Sequence, residues 1–168
     1  MRGKKGEGAV SMSYGLIFSI IIIVAILAVS FYAINRFVNL SRCGEIGIFY
    51  DGLQDEINRA WTSGVYEDRF DGTLPAGIEK VCFGELSSTP IEAYSRYYEE
   101  IQDLEYVTGA NVFLFPTEKA CEGDLFSNKL EHVIFGEFFC ADVSKGEVEA
   151  LKIEFNDLEN PLVRISLG

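Results

Sequence analysis

From Gly8 to Asn35 the chain carries no charged residue, and within that stretch Leu16 to Ile34 is an unbroken run of 19 residues made of aliphatic, aromatic, alanine and serine positions. At ~1.5 Å rise per residue such a helix covers the ~30 Å hydrocarbon core of a bilayer. A purely cytosolic protein is excluded by that length. The rest of the sequence has to be read around it. The whole chain has 168 residues, of which 48% are hydrophobic and 24% charged. Its mean hydropathy of +0.14 is high for a protein with 26 acidic residues, because apolar and charged positions are segregated along the chain. This length allows one folded domain beside the span, not two.

Charge sets the expected orientation and limits the partners. Arg2, Lys4 and Lys5 precede the span against Glu7 alone, which places the N-terminus in the cytoplasm. Cys43 to Gly168 holds 25 acidic and 9 basic residues, a net of −16, and is expected outside the cell. That charge repels phosphate backbones and anionic headgroups, so the domain is not expected to bind nucleic acid or to dock on lipid. Four cysteines, Cys43, Cys82, Cys121 and Cys140, all follow the span. In an oxidising compartment they read as two disulfides, and four cysteines admit three pairings. We expect Cys121–Cys140, which closes a short loop between neighbouring elements, and Cys43–Cys82, which ties sheet to helix. There is no C-x-x-C and only one histidine, so no metal site is expected.

Past the span, Ile46, Phe49, Tyr50, Leu53, Ile57, Ala60 and Trp61 recur at three- and four-residue spacing, the pattern of an amphipathic helix. Cys43 lies on the same stripe. Ile46, Tyr50, Leu53, Ile57 and Trp61 are expected to form the seam against a sheet. The apolar and amphipathic parts read as one helix from about Tyr14 to about Trp61. Gly44, Gly47 and Gly52 each cost ~1 kcal/mol relative to alanine there, so a kink near Cys43-Gly44 is the alternative. A turn-rich stretch from Asp71 to Gly77 precedes a short strand from Ile78 to Phe83. If Val81 and Phe83 face the core, Cys82 faces the other way, and its disulfide then requires cover on both sides. Thr89-Pro90-Ile91-Glu92 has the form of a capping box opening a helix, whose buried stripe is Ile91, Tyr94, Tyr98, Ile101 and Leu104. Asn111 to Phe115 reads as an apolar strand, Val133 to Val143 as a strand interrupted at Gly136, and Leu151 to Phe155 with Val163 to Leu167 as a terminal antiparallel hairpin. The fold class is therefore α+β: a transmembrane helix continuing into an amphipathic helix packed on a small antiparallel sheet.

Catalytic patterns are missing. His132 stands alone in Leu130-Glu131-His132-Val133-Ile134, with no G-x-S-x-G elbow elsewhere, and reads as a structural or surface residue. Gly3-Lys4-Lys5-Gly6 follows no strand and is no P-loop, while Asp51, Asp55 and Glu56 match no calcium loop and read as a solvated face. Asn39-Leu40-Ser41 is a glycosylation sequon too close to the span for modification to be expected. No enzyme, cofactor or small-molecule substrate is expected.

Lys4-Lys5-Gly6 directly before Glu7 and a long apolar helix resembles the class III signal of type IV pilins and their archaeal relatives. The resemblance implies cleavage between Gly6 and Glu7 by a membrane peptidase that leaves the apolar helix on the mature subunit, whereas a secretory peptide is cut after its apolar region. Ser11 stands at the fifth mature position, where the family carries a glutamate. The implied layout is a basic leader (1–6), a transmembrane or filament-core helix (7–42) and an extracytoplasmic α+β domain (43–168), and the isoleucine density suggests an archaeal cell surface. Under this reading the chain is a structural subunit whose apolar helix packs with lipid before assembly and with other copies afterwards. Gly15, Ser19, Ala25, Ala28 and Ser30 would allow close helix approach. The alternative is a single-pass anchored envelope protein whose acidic domain binds a partner or ligand without assembling.

Overall fold

The structure, a computed structural model, describes residues 7–102, 109–123, 125–149, 151–156 and 160–168. Helix α1 runs from Glu7 to Thr62 and is helical through Gly44, Gly47 and Gly52. By its internal contacts the chain divides into two units between Asn39 and Leu40.

In the first unit the large apolar side chains from Tyr14 onward are at least 42% exposed, and no part of the most apolar window is covered by the rest of the chain. Two serine hydroxyls of this segment are satisfied within the helix itself. Ser19 Oγ donates to the Gly15 carbonyl at 2.9 Å and Ser30 Oγ to the Ile26 carbonyl at 2.8 Å, which removes the cost of carrying a hydroxyl into hydrocarbon. The helix is long and apolar enough to cross a membrane.

The second unit is α+β and mostly antiparallel. Strand β1 is Val65–Phe70 and β2 is Lys80–Phe83. A 3₁₀ turn at Glu92–Tyr94 leads into α2, Ser95–Gln102. Then follow β3 (Val112–Phe115), β4 (Ser127–Asn128), β5 (Val133–Ile134), β6 (Phe139–Ser144), β7 (Glu147–Val148), β8 (Leu151–Asn156) and β9 (Asn160–Leu167). One sheet has the order β1-β8-β9-β5 and the other β4-β3-β2-β6-β7. All pairings are antiparallel except β5 with β9. The run from Val133 to Val143 is thus two strands rather than one: the chain leaves the first sheet after Ile134, passes Gly136 and enters the second at Phe139.

Strand β3 is buried at all four positions, as a strand covered on both faces must be. On one face Phe115 packs against Tyr97 of α2, with ring centroids 4.9 Å apart, and Phe113 against Phe138 at 6.2 Å. Cys82 is the cross-strand partner of Phe113 and therefore shares that covered face. The expected conflict between Val81, Phe83 and Cys82 is resolved in this way, since all three are buried.

The disulfides pair differently from the expectation: Cys43 is bonded to Cys121 and Cys82 to Cys140, so Cys121–Cys140 and Cys43–Cys82 do not form. Register decides. Cys82 and Cys140 lie directly opposite each other on β2 and β6, with Cα atoms 3.9 Å apart. Loop length, the basis of the expected pairing, does not compete with side chains already held in contact.

The capping box is also unused. The Phe138 N–H donates to the Thr89 carbonyl and the Ile91 N–H to the Phe138 carbonyl, so Thr89 and Pro90 form a short parallel bridge and the helix proper starts at Ser95. Tyr98 and Ile101 are buried on α2, Ile91 is 37% exposed, and Leu104 lies outside the described residues.

Candidate functional site

Two features of the molecule are candidates for function: the uncovered apolar helix, and the means by which the following domain is fixed to its continuation. Cys43 begins that continuation and is bonded to Cys121, whose φ of 55° lies in the left-handed region. One helical turn later Ile46 is fully buried, followed by Phe49, Tyr50, Leu53, Ile57 and Ala60, all buried in a single core with both sheets. Polar contacts reinforce the stripe. Tyr50 Oη donates to the Leu125 carbonyl at 3.0 Å. The Glu131 N–H donates to Gln54 Oε1 at 2.8 Å and Gln54 Nε2 to the Glu131 carbonyl at 3.4 Å.

Trp61 does not join the buried seam. It is 41% exposed, and its indole lies flat on the His132 ring at 3.8 Å and 7°, with Nε1 donating to the Pro161 carbonyl at 3.1 Å. The helix ends one residue later, so this position caps the domain edge instead of entering the core. His132, at φ 63°, is held by that stack.

Asn111 was legible only as the start of a strand, yet it organises a loop. Its Nδ2 donates to the Leu130 carbonyl at 2.9 Å and its Oδ1 accepts from the Leu130 N–H at 2.7 Å, so a buried amide closes both of its bonds on one residue.

Asp51 and Asp55 are exposed, whereas Glu56 is half-buried: it pairs with Arg59 at 2.8 Å and accepts from Tyr66 Oη. That hydrogen bond, with some burial, pushes the Tyr66 phenol up to about 12. Lys80 donates to Asp142, which holds its ammonium above the ordinary range. Among the described residues no three His, Cys, Asp or Glu side chains converge as a metal site would require.

A cleft of about 560 Å³ lies between the β5–β6 connection and the end of β9, lined mostly by apolar residues together with Glu137, Arg164 and Ser166. The sequence carried no signal for it, because its walls come from the β5–β6 crossover and the end of β9. Lys4, Lys5 and Gly6 lie outside the described residues, and Glu7 is the first residue of α1. No family model matches the chain, and neither does a characterised protein nor a solved structure.

Proposed function

We propose that the chain is a pilin-like structural subunit of a cell-surface filament, made as a single-pass membrane precursor, cut between Gly6 and Glu7, and assembled through its apolar helix. The observation that carries this reading is the contrast within one helix. From Tyr14 onward its first part leaves the large apolar side chains open, and its second part is sealed into a disulfide-tied domain. Apolar side chains exposed at this density need lipid or other copies around them. Gly15, Ser19, Ala25, Ala28 and Ser30 give such copies room to approach, and the two hydroxyls are already satisfied internally. The N-terminus on the cytoplasmic side and the acidic domain outside follow from the basic leader and agree with two disulfides in the domain. The N-terminal residue tests the processing step. Intact-mass analysis of the membrane-extracted protein should give a chain beginning at Glu7, and a chain beginning at Met1 or Arg2 would favour the unassembled anchored module instead.

A further inference from the structure

The two disulfides sit in unlike surroundings. Cys82 and Cys140 are 0% and 1% exposed and lie opposite each other within the paired strands β2 and β6. Cys43 and Cys121 are both half-buried and belong to no strand, one on α1 and the other in the connection between β3 and β4. Glycines stand close to this second bridge. A Cβ built on Gly44, Gly47 or Gly123 would meet nothing within 4 Å, so the ground beside each of its cysteines is open.

Backbone conformation widens the contrast. Cys121 has φ 55°, and a turn closes over it through the Gly123 N–H, which donates to the Ala120 carbonyl at 3.1 Å. A residue other than glycine in the left-handed region is held there at a cost by its surroundings. The constraints on Cys121 are that short turn and the bond to Cys43. Opening the bond removes one of them, which favours the open state.

We propose that Cys43–Cys121 is a site of reversible thiol–disulfide exchange with a dithiol, acting as a clasp on the loop from Thr117 to Gly123 while Cys82–Cys140 stays closed. One thiolate of the dithiol attacks a sulfur of the bridge, the S–S bond breaks, and the other cysteine leaves as a thiolate that takes up a proton. The second thiol of the reagent then attacks the mixed disulfide and releases the first cysteine, which takes up the other proton. Two electrons and two protons pass to the protein as two thiols, and the dithiol becomes a disulfide. The exchange is independent of whether the chain assembles into a filament.

Opening leaves the domain on its helix, because the seam lies beyond the bridge. Ile46, Leu53, Ile57 and Ala60 are fully buried, and Tyr50 Oη donates to the Leu125 carbonyl at 3.0 Å. The loop fares differently. Without the bridge it is anchored through Ala120, whose side chain is buried and whose carbonyl accepts from the Leu125 N–H at 3.2 Å. Glu118 and Lys119, beside that anchor, are exposed.

The test treats the full chain in detergent, without denaturant, with dithiothreitol for timed intervals, traps free thiols with N-ethylmaleimide and maps the labelled cysteines by mass spectrometry. Cys43 and Cys121 should be labelled together about tenfold faster than Cys82 and Cys140, with the aromatic near-ultraviolet circular dichroism retained. Trypsin should then cut after Lys119 several-fold faster than in the untreated chain. The slower rate should return in an untrapped sample once the dithiol is removed and a small disulfide added. A chain carrying both Cys43→Ser and Cys121→Ser should be cut at the faster rate with or without dithiol. Labelling of all four cysteines at one rate, labelling of Cys82 and Cys140 first, or labelling that appears only as the circular dichroism is lost would overturn the exchange site. Unchanged cleavage after Lys119 in the opened chain would overturn the clasp.

Discussion

Cys82 faces away from Val81 and Phe83 and is nevertheless buried, because its strand is covered on both sides. Side-chain alternation made its direction legible in the sequence. Its partner was not, since cross-strand register is a long-range property that spacing between cysteines does not encode. Non-reducing peptide mapping should return Cys43–Cys121 and Cys82–Cys140 only. With sequence separations of 78 and 58, loop-closure entropy gives each bridge about 4 kcal/mol of stabilisation. Cys140→Ser should therefore lower stability by about that amount in chemical denaturation and free the Cys82 thiol for labelling; a labelled Cys121 instead would refute the pairing. Tyr66 offers a second test at this scale. Its neutral phenol donates to Glu56, so the folded chain holds the proton more tightly than the unfolded chain does. The contribution to stability is complete below pH ~10, the ordinary phenol value, and is lost as pH rises toward about 12. Ultraviolet titration of the wild type minus Tyr66→Phe should show one phenol ionising near 12, and a difference curve centred near 10 would contradict the bond. Gly84 shows where backbone conformation excludes a side chain. It has φ 141°, and a Cβ there would lie 2.8 Å from the Phe138 Cα. Gly84→Ala should destabilise the domain by about 2–3 kcal/mol in denaturant melts.

Among the elements, the long helix was the most legible, because a charge-free run followed by a three- and four-residue apolar stripe has no other simple reading. The terminal hairpin was legible for a similar reason, with Leu151, Ile153 and Phe155 alternating with polar residues. β1 was not. Val65-Tyr66-Glu67-Asp68-Arg69-Phe70 alternates poorly because the charged Asp68 shares the face of Tyr66 and Phe70 while the apolar Val65 lies on the other, and the strand gains its order from pairing with β8. Thr89-Pro90 was misleading for the opposite reason: a strong local helix signal lost to backbone bonds with Phe138. The helix stripe gives a sharp contrast. Leu53 is fully buried and Asp55 is exposed on the same helix. Leu53→Asp should place an unpaired charge in the core at a cost of about 3–5 kcal/mol, while Asp55→Asn should stay within about 0.5 kcal/mol of wild type. Circular dichroism melts of the full chain in detergent would show the difference, and equal melting temperatures would mean that the stripe does not hold the domain.

At the scale of the molecule, segregation of charge and apolarity was visible from the sequence alone and separates the uncovered helix from the acidic domain. The strand order, the parallel pairing of β5 with β9 and the cleft beside them were not visible, because each depends on which strands meet rather than on what any strand contains. The candidate site divides in the same way: the apolar helix could be read residue by residue, and the cleft emerged only from the topology. The central claim is that the apolar helix is covered by other copies in an assembled filament. Immunogold electron microscopy of a fraction sheared from the cell surface, using antibody to the acidic domain, tests it most directly. The account predicts filaments labelled along their length. Label confined to membrane fragments, with any filaments present left unlabelled, would contradict it.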